Sequence, residues 1–385
     1  MTLTGPWIDA SETQEVCRML EAAGHRALMV GGCVRNALMG VAVNDVDIST
    51  DARPDAVIAL AGAAGLKAVP TGVEHGTVTV VCRGVPFEIT TFRKDVETDG
   101  RRAVVAFADD VESDARRRDF TVNALYATRR GDVIDPLGGL PDIKARRIRF
   151  IDDAETRIRE DYLRILRFFR FHAAYGDPEG GLDREGLAAC AALAEGMDGL
   201  PRERIGAEMT KLLAAPDPAP SVAAMRQAGV LARVLPGADD RALAPLVHLE
   251  EAHGIGADAL RRLAALGGEG PADALRLSRK DARRLELLRE EAGAMQTPEA
   301  LGYRHGARTA RDILLLRAAL LEQPVSQEAL AAAQTGARAE FPVSARDLMP
   351  RFSGPAVGEA LKKMEAAWID SGFALDREAL LKLAT

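Results

Sequence analysis

The spacing of hydrophobic and polar residues changes once along this chain, near residue 145. Before that point, short apolar or alternating runs typical of strands are mixed with runs of helical period. The predicted strands are 27–30, 46–48, 77–82, 87–91 and 104–107. The predicted helices are 9–23, 34–39 and 55–64, and Asp9 or Ser11 is the expected cap of the first of them. This mixture predicts a small mixed sheet backed by helices.

From Arg149 to the last residue the pattern is helical and rich in Ala, Leu, Arg and Glu. Proline-rich and glycine-rich breaks interrupt it, chiefly Pro216, Pro218, Pro220 and the segment 267–271. The whole chain is therefore predicted to be α+β. Three segments are expected: a sheet-containing domain over 1–145, a first helical segment over 146–215, and a second helical segment over 216–385.

Composition narrows the class of protein. The chain has 385 residues, of which 47% are hydrophobic and 28% charged, as expected for a globular protein with more than one core. Its net charge of −7 gives no general attraction to nucleic acid, so an RNA site must be a local basic surface. The four scattered cysteines form no metal-binding pair, and no leader or long apolar run is present. A cytoplasmic protein with no membrane partner is predicted.

Residues 29–50 carry the first chemical signal, a glycine turn followed by two aspartates. Gly31 and Gly32 let backbone N–H groups approach an anion, and Arg35 lies in the first turns of the helix that follows. Asp45 and Asp47 are separated by one residue in a predicted strand, which places both carboxylates on one face. An isolated pair of this kind is usually a turn, but after a phosphate-binding turn it predicts a Mg²⁺ site for nucleotidyl transfer.

A third carboxylate usually completes such a metal site. Glu88 lies in the predicted strand 87–91 and is the candidate. It is therefore grouped with Asp45 and Asp47 as a predicted catalytic residue.

The second signal is the run of arginines in DARRRDFTVNALY, residues 114–126. A solvated helix edge is the usual fate of such a run, but here an apolar-polar segment follows that is predicted to be a helix docked on the core. Arg117 or Arg118 would then point at triphosphate oxygens, which a planar guanidinium binds through two parallel hydrogen bonds. Asp119 and Asn123 are expected to fix the local backbone.

The third signal lies in 159–175, which is predicted to be one buried helix because apolar residues surround it. The charged residues recur at every third position as one inclined ridge, Asp161, Arg164, Arg167 and Arg170. Buried charges need partners. One reading is an internal ladder of salt bridges with acidic neighbours. The other is that a nucleotide base and its phosphates supply the partners.

The second reading has a specific chemical consequence. Cytosine and adenine each present an amino donor beside a ring-nitrogen acceptor, whereas uracil and guanine present the reverse. A carboxylate beside a guanidinium, Asp161 with Arg164, accepts from the first and donates to the second. Such a pair would admit C and A, and it would leave unpaired groups against U or G, which a buried site rejects.

These motifs together closely resemble the class II tRNA nucleotidyltransferase/poly(A) polymerase family of the polymerase-β superfamily. The matching stretches are GGCVRN with DVD, EITTFR, RRDFTVNAL, DPLGGLPDI, EDYLRILRFFRF and PRERIGAE, over roughly the first 215 residues. The resemblance implies a catalytic head at 1–145, a neck at 146–215 that carries the base template, and a tRNA-binding body and tail at 216–385.

The resemblance also implies functions for the site residues. Gly32 and Arg35 would contact the nucleotide, Asp45 and Asp47 would bind Mg²⁺, and Arg117 or Arg118 would meet phosphate. Asp161 and Arg164 would read C and A, with Arg167 and Arg170 nearby. The implied partners are CTP, ATP and the 3′ acceptor end of tRNA, and no DNA partner is expected.

The family usually has Asp where this chain has Asn36, which leaves an ionic role for this position in doubt. Three activities stay open: addition of CCA to tRNA, addition of poly(A) or of only part of CCA, and RNA binding by an inactive homologue. The acidic overall charge favours the first over general RNA tailing. The predicted loop at 95–103 is a candidate for controlling the change from C to A addition.

Overall fold

The computed structural model describes residues 1–99, 102–349 and 351–383. It has a sheet-containing N-terminal part and a helical remainder, so the predicted α+β class is confirmed. The chain divides into two compact units, Met1–Val234 and Leu235–Thr385. The boundaries predicted after residues 145 and 215 both fall inside the first unit and stay predictions.

The strands of the first unit form one large sheet and one hairpin. Their bounds are β1 Leu28–Val30, β2 Asp47–Thr50, β3 Lys67–Gly72, β4 Thr77–Cys82, β5 Val85–Thr91, β6 Arg93–Asp99, β7 Arg102–Phe107, β8 Tyr126–Thr128 and β9 Val133–Ile134. The large sheet has the order β3-β4-β5-β2-β1-β8-β9, and β6 pairs with β7. Strands β2 and β5 are parallel, with Asp47 opposite Glu88. This register brings the two strands that carry predicted catalytic carboxylates side by side.

The helices of the first unit fall into two groups. Those before residue 145 are α1 Pro6–Asp9, α2 Ser11–Ala22, α3 Gly32–Met39, α4 Pro54–Ala63, α5 Val111–Arg116 and α6 Leu140–Lys144. Those after residue 145 are α7 Ala154–Glu160, α8 Leu163–Tyr175, α9 Arg184–Ala192, α10 Arg202–Leu213, α11 Ala219–Gln227 and α12 Val230–Val234. Short 3₁₀ turns occur at Val73–His75, Thr121–Asn123 and Ala194–Gly199.

An aromatic cluster fixes α8 against the end of the sheet-containing part. The ring of Phe150 lies 4.9 Å from Phe120 and stacks on Phe168 of α8 at 5.4 Å between centroids. Phe171, one turn further along α8, lies 5.2 Å from Phe120. Because Phe120 follows Asp119 directly, these contacts set the position of α8 next to the arginine run.

Three local predictions are wrong. The segment 120–126 is a 3₁₀ turn followed by β8, because Tyr126 pairs with Val30 in the sheet. The residue before α2 is Ala10, while the Ser11 hydroxyl donates to Glu12 instead of capping the helix. The predicted loop at 95–103 belongs largely to the β6–β7 hairpin, and its residues 100 and 101 lie outside the described part of the chain.

The second unit is helical over its described residues. Its helices are α13 Leu243–Ala252, α14 Ala259–Leu266, α15 Pro271–Ala274, α16 Arg279–Gly293, α17 Pro298–Leu320, α18 Gln327–Gly336, α19 Ala345–Leu348, α20 Pro355–Asp370 and α21 Arg377–Lys382. A buried ion network ties three of them together, since Arg261 donates to Glu250 at 2.6 Å and to Asp312 at 2.7 Å. Across the described helices, none is both long and apolar enough to span a bilayer.

Candidate functional site

The glycine turn predicted from the sequence connects β1 to α3. Gly31 has φ 70° and ψ −115°, a conformation that favours glycine. A Cβ atom at this position would lie 3.5 Å from the Arg118 side chain, so the turn brings backbone close to the arginine run. The N-terminus of α3 therefore opens beside the arginine run, which suits an anion.

The predicted catalytic carboxylates lie on the surface next to this turn. Asp47 is the first residue of β2, Asp45 precedes the strand, and both are exposed. Partial desolvation by neighbouring protein atoms raises the pKa of the Asp47 carboxyl group. The negative charges of Glu88 and Asp45 raise this pKa further, whereas the positive charge of Arg118 lowers it. Glu88 and Asp45 are thus each close enough to Asp47 to repel its carboxylate, a repulsion that a bound cation would relieve.

These carboxylates fit a cation that needs few protein ligands. Within the described ranges, no group of three or more Asp, Glu, His or Cys side chains is arranged to hold a metal ion. Mg²⁺ is commonly held by one or two carboxylates and completes its shell with water and substrate phosphates. Asp45 and Asp47 are the residues that would hold it, and a role of Glu88 as a ligand stays a prediction.

The two arginines predicted to contact phosphate share a buried partner that the sequence analysis missed. Asp114 accepts from Arg117 Nε at 3.0 Å, from Arg118 Nη2 at 3.0 Å and from the Tyr126 hydroxyl at 2.8 Å. Its side chain is fully buried. The sequence carried a signal for this partner, because an aspartate three and four residues before two arginines is a favourable helical spacing.

Asp114 should contribute substantially to stability. Burial alone would raise its pKa, but Arg118 and Arg117 outweigh that effect and hold the pKa at about 2. Because this value lies below that of an unfolded aspartate, the ionised group stabilises the fold above about pH 4, and the contribution is lost as the pH falls toward 2. Asp114→Asn should lower the free energy of unfolding at pH 7 by about 3 kcal/mol, measured by urea denaturation.

Urea denaturation repeated at several pH values tests the contribution of Asp114 further. The stability of Asp114→Asn should also depend less on pH between about 4 and 2 than that of the unchanged protein. Asp109→Asn is the matched variant, since Asp109 is exposed and its carboxylate pairs with the likewise exposed Arg53 at 3.3 Å. Equal stability of Asp114→Asn and Asp109→Asn would contradict the proposed contribution.

The predicted helix 159–175 is interrupted at Asp161. Helix α7 ends at Glu160, Asp161 has an extended backbone, and α8 begins at Leu163. The Asp161 carboxylate accepts from the Leu163 N–H at 3.1 Å, a local bond that competes with helix continuation. The prediction of one ridge is therefore wrong for Asp161: three arginines lie along α8, and the aspartate lies at the break before it.

Each arginine of α8 has a carboxylate partner from another position. Arg164 pairs with Glu160, Arg167 donates to Asp119 at 2.5 Å, and Arg170 donates to Glu208 at 2.6 Å. Burial alone would raise the pKa of Asp119, but Arg167 and the hydrogen bond from Asn123 outweigh it and keep this pKa below its usual value. The ladder of salt bridges considered in the sequence analysis is present. It is compatible with ligand contact, since Arg164 and Arg167 also line a cavity.

Helices α7 and α8 also hold the backbone of the arginine run. Arg157 donates to the carbonyl oxygen of Arg118 at 2.9 Å and to that of Arg117. Arg164 donates to the same Arg117 carbonyl at 3.3 Å. The segment predicted to read the base is therefore bonded directly to the segment predicted to bind phosphate.

A cavity of about 460 Å³ in the first unit brings these elements together. Nine of the twelve predicted site residues line it, and they are Gly31, Gly32, Arg35, Asp47, Arg117, Arg118, Asp161, Arg164 and Arg167. Asp45 lies on a smaller neighbouring cavity of about 220 Å³ beside Trp7. Glu88 and Arg170 line neither of these cavities. The cavity thus joins the glycine turn and arginine run to the helix break at Asp161.

Five lining residues were not predicted to contact a ligand: Asp119, Asn123, Leu163, Phe171 and Arg204. Arg204 of α10 is the most informative, because it donates to the Asp161 carboxylate at 2.7 Å. Because the two residues are 43 positions apart in the chain, local sequence pattern does not identify Asp161 as the partner of Arg204. With Arg204 included, six arginines and three aspartates line the cavity, a surplus of positive charge suited to a polyphosphate.

Comparison with known proteins agrees with this arrangement. The family model described as "Poly A polymerase head domain" matches residues 27–149, and that described as "Probable RNA and SrmB- binding site of polymerase A" matches residues 181–241. The chain is 41% identical over 190 residues to the mitochondrial CCA tRNA nucleotidyltransferase 1 of Homo sapiens, covering 49% of this chain and 44% of that protein. It is 40% identical over 228 residues to the CCA-adding enzyme of Leuconostoc citreum, covering 59% and 55%.

The match therefore spans about half the length of these curated relatives. A structural match extends further: the Bacillus stearothermophilus CCA-adding enzyme in complex with CTP superposes with a TM-score of 0.74 at 26% identity, over 99% of this chain and 97% of that one. Sequence, fold and site geometry agree. Residues 27–149 are similar to the head domain of the poly(A) polymerase family, and the chain shares its fold with a CCA-adding enzyme.

Proposed function

We propose that this chain adds CCA to the 3′ ends of tRNA, using CTP and ATP as substrates and its own side chains as the template. The observation that carries the proposal is the single cavity lined by the glycine turn, Asp47, the arginine pair and the break at Asp161. Phosphate-binding and base-reading groups then lie within reach of one nucleotide. Relatives named CCA-adding enzymes support the same activity.

The chemistry assigned to the head is in-line transfer of a nucleotide to the RNA 3′ hydroxyl. Arg117 and Arg118 would bind the triphosphate and stabilise the charge that develops on the leaving pyrophosphate. Asp114 accepts a hydrogen bond from each of these two guanidinium groups and so fixes their positions. Mg²⁺, held by Asp45 and Asp47, would lower the pKa of the attacking hydroxyl and neutralise phosphate charge.

The base template assigned to Asp161 and Arg164 is supported by how firmly both are held. Arg204 and the Leu163 N–H fix the two oxygens of Asp161. Glu160 and a backbone carbonyl fix Arg164. Groups held this way lose little entropy on binding and cannot easily reorient to suit uracil or guanine.

The decisive experiment is an addition assay with tRNA transcripts that lack the 3′ CCA. The transcripts are incubated with Mg²⁺ and with CTP, ATP, UTP or GTP, singly and together, and the products are resolved by length and sequence. Two C residues followed by one A are expected. Long A tails would instead assign poly(A) synthesis, addition of C alone or A alone would assign a partial activity, and binding without incorporation would assign an inactive RNA-binding protein.

The cytoplasmic location stays a prediction.

A further inference from the structure

Arg35 differs from the other arginines that line the cavity. Among the six, all of which belong to the described chain, five form an ion pair with Asp114, Asp119, Glu160 or Asp161. Arg35 has only neutral acceptors among its hydrogen-bond partners, which are Asn36, Asn123 and Tyr175. Its residue surface is only 6% exposed. The charge of Asp119 acts on Arg35 without pairing with it directly. Burying a cation without a directly paired carboxylate costs free energy that an anionic ligand would offset.

The neutral partners hold the Arg35 guanidinium in one orientation. Nη1 donates to Asn123 Oδ1 at 2.5 Å and Nη2 to the Tyr175 hydroxyl at 2.9 Å. The Tyr175 ring lies 4.0 Å from the guanidinium carbon and contributes a cation–π contact. Burial lowers the pKa of Arg35, as expected for a desolvated charge, although this group stays protonated at any ordinary pH.

Asn36 is the central partner. Its Oδ1 atom accepts from Arg35 Nε at 3.2 Å and from Nη2 at 2.8 Å. Its Nδ2 atom donates to the carbonyl oxygen of Ala42 at 2.9 Å, which turns the amide oxygen toward Arg35. Asn36 therefore provides the geometry of an acidic partner without its charge.

We propose that Asn36 is a positioning residue that holds Arg35 without neutralising its positive charge, so that Arg35 adds to the attraction of Arg117 and Arg118 for the triphosphate of the incoming nucleotide. This inference rests on the proposed function and assigns a role to a residue outside the cavity lining. A carboxylate at position 36 would hold the same two N–H groups, but it would neutralise the guanidinium in advance and would compete with phosphate. Triphosphate affinity should thus depend on residue 36 being neutral.

The test uses tripolyphosphate as the probe, titrated calorimetrically into the full chain without added metal. Asn36→Asp, which keeps an oxygen acceptor and adds a negative charge, should weaken tripolyphosphate binding by about three- to tenfold relative to Asn36→Ala, which removes the oxygen contact without adding charge. Asn44→Asp is the matched charge control, because Asn44 is exposed and lies on the smaller cavity. It should bind tripolyphosphate nearly as well as the unchanged protein.

Equal affinity of Asn36→Asp and Asn36→Ala, or an equal loss in Asn44→Asp, would overturn the role assigned to Asn36. Thermal melting of each variant shows whether it is folded before titration. In the addition assay, Asn36→Asp should raise the KM for CTP with little change in kcat, because the lost interaction is made in the ground state as well. The calorimetric result does not depend on RNA extension, so it stands or fails separately from the proposed activity.

Discussion

Replacing Asp47 with alanine should reduce nucleotide addition at least about a thousandfold. A metal ion contributes several kcal/mol to phosphoryl-type transfer, and each 1.4 kcal/mol changes the rate tenfold. Asp47 begins β2 opposite Glu88, and of the three predicted catalytic carboxylates it is the one that lines the cavity, so its substitution removes that carboxylate from the cavity. Single-turnover rates with a tRNA that lacks CCA provide the measurement, and Asp45→Ala should show a loss of the same order.

Two controls separate this effect from misfolding. Asp109→Ala removes an exposed carboxylate from the same unit and should keep its activity. Tripolyphosphate binding in the absence of metal should not weaken in Asp47→Ala, since the variant removes negative charge from the cavity. Activity of Asp47→Ala within tenfold of the unchanged protein would refute the metal assignment.

Replacing Asp161 with alanine should lower discrimination against UTP and GTP by roughly a hundredfold, with far less effect on catalysis of the correct addition. The expected size follows from the penalty that a site imposes when its buried polar groups are left unpaired by the wrong ligand. Arg204 loses its hydrogen-bond acceptor in this variant, so the Arg204 side chain is also held less firmly at the cavity. The ratio of kcat/KM values for CTP and UTP measures the change.

Arg204 offers a second variant at the same contact. Arg204→Ala leaves the Asp161 carboxylate in place but removes the donor that fixes it at 2.7 Å, so selectivity should fall by a smaller factor. Asp198→Ala is a suitable control, because this exposed aspartate pairs with Arg233 and lies outside the cavity lining. Unchanged nucleotide selectivity in Asp161→Ala would refute the template assignment.

Local pattern was a good guide wherever neighbours in the sequence are also neighbours in space. The alternation of Val78, Val80 and Cys82 predicted a strand over 77–82, and β4 has these bounds. The three side chains are buried, and the intervening ones are less so. The same reasoning failed for 120–126, where pairing of β8 with β1 outweighs the local preference for helix.

The least predictable features of the site depend on contacts between distant residues. Nothing near Asp161 in the sequence indicates that Arg204 binds it, or that Asp119 is the partner of Arg167. The helix break was also hidden, because the apolar residues of 163–171 continue the pattern of α7 without a glycine or proline. Asn36 could be recognised as unusual from the sequence, but its contact with Arg35 could be seen only in the folded chain.

Arg157 and Arg164 donate hydrogen bonds to the carbonyl oxygens of Arg117 and Arg118, and these bonds have a consequence for the fidelity of nucleotide selection. If Arg117 and Arg118 bind phosphate as proposed, a wrong base that displaces Arg164 would shift the backbone that positions these two arginines. Misincorporation would then be suppressed through slow turnover of a bound but misaligned nucleotide, and not through weak binding alone. Fidelity of this kind persists at saturating concentrations of the wrong nucleotide, where selection by affinity has no effect.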